Sequence, residues 1–83
     1  MRLVFLGKLG DAAPDELAEI ARPQGVETLA DLKDWLARAQ PMLSRRMAAT
    51  PVRLIVNQAV AQDMRQTLGD YDEIAFLPPM SGG

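Results

Sequence analysis

Eighty-three residues are enough for one small domain and leave no room for a second hydrophobic core. The formal net charge of −2 and the sequence pI near 4.9 argue against nucleic acid as the main partner. The chain has no cysteine and no histidine, which excludes disulfides, thiolate metal sites and a thiol nucleophile, and removes the commonest general base. We therefore expect little catalytic chemistry from the chain itself, and no bound metal.

The apolar residues are distributed as in an ordinary globular domain. They make up 48% of the chain, charged residues make up 24%, and no apolar stretch approaches the ~20 residues that span a bilayer. Residues 1–9 lack the basic region and the cleavage site of a signal peptide. These features predict a soluble, cytoplasmic domain without a membrane partner.

The first quarter of the chain predicts a strand, a turn and a second strand. Residues 2–6 are a short apolar run of strand formers that ends at Gly7. Residues 7–11 lack the spacing and the Ser or Thr of a phosphate-binding loop, so we interpret them as a turn, with room for one helical turn. Residues 15–22 fit helical spacing, but prolines bracket the run, and a hairpin commonly follows a short first strand. We assign this segment as a strand antiparallel to the first, with a helix as the alternative.

The clearest element is an amphipathic helix in the middle of the chain. Thr28 is a good N-cap residue, and Asp31 at the third helical position completes a capping box. Apolar side chains recur at helical spacing at Leu29, Leu32, Leu36 and Ala39. Pro41 ends this helix, and residues 42–49 predict a second, shorter one. The arginine pair at residues 45–46 fits a solvated helix face, with a docking spot for an acidic partner as the alternative.

The second half of the chain returns to strands. It predicts a strand at residues 52–57, a short return strand from Val60, and a last strand at residues 73–77. This order of elements is that of a β-grasp, an α+β fold. We predict a mixed sheet of about five strands with one main helix packed on one face, in a domain of residues 1–77. The first and last strands are expected to be parallel neighbours in mid-sheet.

Alternation along the strands predicts a core and a second apolar surface. The residues expected in the core are Leu3, Phe5, Leu54, Val56, Ile74 and Phe76 from the strands, and Leu29, Leu32 and Leu36 from the helix. The residues expected on the opposite face of the sheet are Val4, Leu6, Ile55 and Leu77. A contiguous apolar patch on that face predicts a surface for docking another protein.

Residues 78–83 predict a flexible tail with a stiff base. Pro78 and Pro79 restrict φ and favour extended backbone, so they form a stalk. Gly82 and Gly83 have no Cβ, so they can pass through a narrow channel. The segment reaches roughly 20 Å when extended, at about 3.3–3.6 Å per residue, which would carry a terminal carboxylate into another protein's active site. The alternative is a frayed chain end.

With this order of elements, the chain resembles the small subunits of molybdopterin synthase, a family of ubiquitin-like sulfur carriers. The matching residues are RLVFL at 2–6, VNQ at 56–58 and LGDYDEIAFLPPMSGG at 68–83. The two prolines before the two glycines point to this branch, and not to the shorter thiamin-pathway carriers that share the terminal glycines. The turn at residues 69–72 and the long polar loop at residues 62–67 depart from the family's pattern.

The resemblance implies a reaction at the end of the tail. In this family an E1-like, ATP-dependent adenylyltransferase forms an acyl-adenylate at the residue that matches Gly83. A sulfur donor then converts the adenylate to a thiocarboxylate. The tail enters the large synthase subunit, where sulfur passes to cyclic pyranopterin monophosphate and the molybdopterin dithiolene forms.

The resemblance also implies partners and not bound cofactors. By position, Gly83 bears the sulfur, and Leu77, Leu6 and Val60 dock the large subunit. The residues that would occupy the partner's channel are Pro78, Pro79, Met80, Ser81 and Gly82. No cofactor is expected on this chain, since ATP is used by the activating enzyme. The catalytic side chains are expected on the large subunit. The resemblance also implies a heterotetramer with two copies of each subunit. The alternatives are a ubiquitin-like modifier that is conjugated through Gly83 and a thiamin-pathway sulfur carrier.

Overall fold

The computed structural model describes residues 1–79, which form a mixed four-stranded sheet with helices packed on one face. The elements in chain order are β1 (Arg2–Phe5), α1 (Leu9–Ala12), a 3₁₀ helix (Asp15–Ala18), α2 (Leu29–Ala39), α3 (Pro41–Ala48), β2 (Arg53–Val56), β3 (Ala59–Val60) and β4 (Glu73–Leu77). The architecture is the α+β β-grasp that the sequence predicts, with four strands in place of about five. The expected tail lies outside the described residues from Met80 onward.

The sheet has the strand order β1-β4-β2-β3. Strands β1 and β4 pair in parallel, with Phe5 opposite Phe76, while β2 is antiparallel to both β3 and β4. The parallel pairing of the first and last strands is therefore confirmed. The expectation that both lie in mid-sheet is wrong for β1, which forms an edge of the sheet, while β4 lies inside it.

The second predicted strand does not form. Residues 15–18 are a 3₁₀ helix, and only an isolated antiparallel bridge joins Arg2 to Glu19. Leu17 is buried in the core, and Ile20, three residues later, packs against it and donates its N–H to the carbonyl of Met1 at 2.9 Å. The helix ends at Ala18, and Glu19 is already extended, so Leu17 enters the core from a helical turn while Ile20 follows on extended backbone beside β1. The helical alternative was the better description of the start of this segment.

Helix α2 begins at the predicted capping box. Thr28 accepts a hydrogen bond from the N–H of Asp31 at 3.2 Å, and the Asp31 carboxylate accepts from the N–H of Thr28 at 3.1 Å. The same carboxylate also accepts from the N–H of Glu27 at 3.0 Å. The N–H groups of Glu27 and Thr28, in that order of importance, lower the pKa of Asp31 below its ordinary value. The helix ends at Ala39, as expected, and after Gln40 a new helix, α3, starts at Pro41.

The core lies between the sheet and the helices. All nine residues expected there belong to it, with Phe5 and Leu54 partly exposed at its margin. The rings of Phe5 and Phe76 stack across the parallel pair, with centroids 4.6 Å apart. Buried residues that the strand and helix patterns did not assign to the core are Met1, Leu9, Leu17, Val26, Leu43 and Leu68. Within residues 1–79, no helix is both long and apolar enough to cross a membrane.

Candidate functional site

The exit from β4 is the part of the described structure on which the predicted site depends. Leu77 is the last residue of β4, and Pro78 and Pro79 follow it directly. The N–H of Leu6 donates to the carbonyl of Phe76 at 3.0 Å, which places Leu6 beside Leu77 just after β1 ends. The two parallel strands therefore end together, and the chain leaves the sheet from its interior strand. The remaining predicted tail residues, Met80, Ser81, Gly82 and Gly83, lie outside the described residues.

A glycine supports the base of this exit. Gly7 has a φ of +57°, in the left-handed region that residues with a Cβ adopt only at a cost. An ideal Cβ at this position would lie 3.2 Å from Cγ of Pro78. Gly7 therefore allows both the turn after β1 and the close approach of the proline ring. The sequence predicts Gly7 as the end of a strand and the start of a turn, but not its contact with Pro78, because that contact is long-range.

The sheet face opposite the helices carries the predicted docking residues. Strand registers place Val4, Ala75, Ile55 and Val60 in one row across all four strands. Leu6 and Leu77 lie beyond this row on the same face, since alternate residues of a strand share a face. We call these six residues the open face. It is apolar along the whole row.

The open face brings two of the three predicted docking residues together. Leu6 is 37% exposed and lies next to the half-buried Leu77. Val60 is 50% exposed but belongs to β3, the opposite edge strand, with β2 between it and β4. With strands about 4.8 Å apart, Val60 lies roughly 10 Å across the sheet from β4. The three residues thus mark a broad face, not a single cluster.

Polar side chains hold the opposite end of β4 in place. The Asp72 carboxylate accepts hydrogen bonds from the N–H of Gly69 at 2.7 Å and from the side-chain amide of Asn57 at 2.9 Å. The Asn57 side chain in turn accepts from the N–H of Glu73 at 2.9 Å. The Gly69 N–H first, and the Asn57 amide second, lower the pKa of Asp72. This network ties the start of β4 to the β2–β3 turn.

Charged residues are arranged differently at the two ends of the β1–β4 pair. At the start of the strands, Arg2 lies 4.0 Å from Glu73, and Arg22 lies 2.7 Å from Asp70. At the exit, an open groove of about 530 Å³ has two basic residues in its wall. We call it the exit groove, and its lining is Gly7, Lys8, Leu9, Arg46, Ala49, Thr50, Pro78 and Pro79. Within residues 1–79, no group of three or more acidic side chains is arranged to hold a metal ion.

Comparison with known proteins identifies the family. The ThiS family model matches residues 4–83. The chain is also 30% identical over 83 residues to the molybdopterin synthase sulfur carrier subunit of Mycobacterium tuberculosis (strain ATCC 25618 / H37Rv). That match covers 100% of this chain and 96% of the relative. Both matches extend over the sheet, the open face and the exit of β4, so the chain belongs to the ThiS family of sulfur carriers.

Proposed function

We propose that this protein is the sulfur-carrying subunit of a molybdopterin synthase. The observation that carries the proposal is the similarity, over essentially the whole of both chains, to a relative with that name. The structure supports it by placing Pro78 at the end of an interior strand beside an apolar face. A stalk that starts from an interior strand has a defined direction. A tail that delivers one sulfur atom to another protein's active site requires such a direction.

The proposed chemistry takes place at the carboxylate of Gly83. A terminal carboxylate has a pKa of about 3.5, so it is ionised at neutral pH and is a poor electrophile. In the proposed first step, its oxygen attacks the α-phosphate of ATP on an adenylyltransferase, and pyrophosphate leaves. A sulfur nucleophile delivered by a donor then attacks the acyl carbon, and AMP leaves with the electron pair of the C–O bond. The product is a thiocarboxylate, whose sulfur passes to the pterin precursor.

The proposed partner for sulfur transfer is the large subunit of the synthase. Leu6 and Leu77 lie directly beside the root of the tail, so a protein that covers them is close to the tail's entry point. Val60 extends the same apolar face to the far edge of the sheet. Burial of these side chains would stabilise the complex by about 25 cal/mol per Å² of apolar surface, before the costs of association.

Intact-mass analysis tests the proposal. The chain is purified from cells and, separately, incubated with ATP, the adenylyltransferase and a sulfur source. We expect one oxygen to be replaced by sulfur, and no change in a matched variant that lacks Gly82 and Gly83. Recovery of the chain as covalent conjugates to other proteins, with no thiocarboxylate, would instead support a ubiquitin-like modifier and contradict the sulfur-carrier role.

The second candidate is a sulfur carrier of the thiamin pathway. The ThiS family match is consistent with it, because that match does not separate carriers by pathway. Both candidates use the same thiocarboxylate, so the mass measurement does not distinguish them. Deletion of the gene does. Loss of molybdoenzyme activity with normal growth in the absence of thiamin supports the first candidate, and thiamin auxotrophy supports the second.

A further inference from the structure

The described cations are divided between two environments. Three arginines are in ion pairs: Arg2 with Glu73, Arg22 with Asp70, and Arg65 with Asp63. Six other basic residues have no carboxylate within 4.0 Å among residues 1–79: Lys8, Lys33, Arg38, Arg45, Arg46 and Arg53. A chain with a net charge of −2 therefore keeps several cations available on its surface.

Three of those available cations lie where the tail leaves the sheet. Lys8 and Arg46 are both exposed, and they line the exit groove together with Pro78. The packing of α3 on α1 brings them into the same groove. Arg53 is in register with Leu77, so a third cation flanks the same end of β4, at the margin of the open face and outside the exit groove. By contrast, Arg2 and Arg22, at the start of β1 and β4, are in ion pairs with Glu73 and Asp70.

The exit groove combines charge with apolar contact. Ala49 and the proline rings provide apolar surface above the buried Leu9, and Thr50 adds a hydroxyl-bearing side chain to the lining. This combination fits a short acidic segment of a protein, whose carboxylates pair with the cations while its backbone packs on the prolines. The groove also adjoins the open face, because Leu6 directly precedes Gly7.

Two kinds of partner contact are expected of a carrier that cycles between proteins. A lasting subunit interface is rich in apolar area, whereas a transient encounter depends more on complementary charge, which raises the association rate. The open face suits the first kind of contact and the cationic groove suits the second. Because the proposed carrier must leave its activating enzyme after each round, the groove matches that enzyme better than it matches the synthase subunit.

We infer that the exit groove is the site at which an acidic rim of the activating adenylyltransferase docks, with Lys8 and Arg46 as the recognition residues. This inference rests on the proposed function, since it requires that the tail is adenylylated. It assigns one of the two adjacent arginines to recognition, because Arg46 lines the groove and Arg45 does not.

The neighbouring arginines provide a matched pair of variants. Arg46→Glu and Arg45→Glu change the net charge equally, and both lie in the last turn of α3, where an acidic side chain is equally unfavourable for the helix. Steady-state adenylylation is measured with purified adenylyltransferase and ATP while the carrier concentration is varied. We expect Arg46→Glu to raise KM for the carrier by roughly tenfold or more, since juxtaposed like charges are strongly unfavourable. Arg45→Glu is expected to stay within about twofold, and kcat should be unchanged in both.

The outcomes separate this inference from the proposed function. Adenylylation of the wild-type chain at saturating enzyme tests the proposed function alone. If the wild-type chain is adenylylated and both variants have the same KM, the exit groove is not the recognition site. Lys8→Glu is expected to reproduce the KM effect of Arg46→Glu, and added salt should weaken wild-type binding more than binding of Arg46→Glu. The chain is also titrated with ATP alone while its backbone amide signals are followed by NMR. Shifts at Lys8 and Arg46 would show that the exit groove is a nucleotide site and would overturn the inference.

Discussion

Gly7→Ala tests whether the contact between the β1 turn and Pro78 directs the tail. At a φ of +57°, alanine costs roughly 1–2 kcal/mol in the folded state, because its Cβ crowds the backbone. A domain of this size loses about 4–8 °C in Tm for each kcal/mol. Total stabilities of about 5–15 kcal/mol leave the variant folded at room temperature. The substitution is therefore expected to lower Tm without abolishing the fold.

Gly7→Ala is also expected to change the direction of the tail, because a small shift of Pro78 reorients the residues that follow it. The new Cβ would lie 3.2 Å from Cγ of Pro78, so the proline ring must yield by a few tenths of an ångström. A shift of about 0.4 Å, one Cα–Cα step of about 3.8 Å from Leu77, tilts the stalk by roughly 6°. Across the roughly 7 Å that Pro78 and Pro79 span when extended, at about 3.3–3.6 Å per residue, that tilt displaces the end of the stalk, and with it the carboxylate proposed to react, by about 0.7 Å. Since 1 Å of misplacement can reduce a rate by about 10²-fold, we expect adenylylation to slow by at least roughly tenfold.

Gly25→Ala is the matched control, because Gly25 also has a positive φ, of +84°, and no atom lies within 4 Å of an ideal Cβ there. Both variants therefore carry backbone strain, but only Gly7→Ala meets Pro78. Thermal unfolding reports the strain, and the adenylylation rate at saturating carrier reports the direction of the tail. An adenylylation rate in Gly7→Ala equal to that of the wild type would show that the contact between residue 7 and Pro78 does not direct the tail. Equal rate losses in both variants would assign the effect to stability alone.

Two further predictions concern the fold that supports the tail. Leu36 is 0% exposed and anchors α2 in the core. Leu36→Ala should therefore lower the free energy of unfolding, measured by urea titration, by about 2–5 kcal/mol. A loss below about 1 kcal/mol would contradict the assignment of Leu36 to the core. The pKa of Asp72 is lowered on folding from an ordinary value of 3.8, chiefly by the Gly69 N–H and then by Asn57. Asp72 therefore contributes its full stabilisation above the pKa it has in the unfolded chain, and this contribution is lost as the pH falls through its lower pKa in the folded protein. In Asp72→Asn, the free energy of unfolding should decrease less steeply with falling pH below about pH 4 than in the wild type. Identical slopes in wild type and variant would show that Asp72 is not linked to folding.

Local sequence rules were sufficient for the elements whose signals lie within a few residues. The capping box of Thr28 and Asp31 placed the start of α2, and the run of strand formers after Glu73 placed β4 with its observed bounds. The same rules were wrong for residues 15–22. There the favourable helix propensity correctly described residues 15–18, whereas the hairpin that was preferred after a short strand forms only one antiparallel bridge, between Arg2 and Glu19.

The amino-acid sequence alone determined the fold class, the two faces of the sheet and the composition of the tail, because alternation, capping and proline stiffness act between near neighbours. Only the tertiary structure decided what surrounds the root of that tail. The parallel pairing of β1 with β4 brings Gly7 against Pro78, and the packing of α3 on α1 brings Arg46 beside Lys8. These contacts join residues far apart in the chain, and their positions depend on strand register and helix packing, which no local pattern encodes.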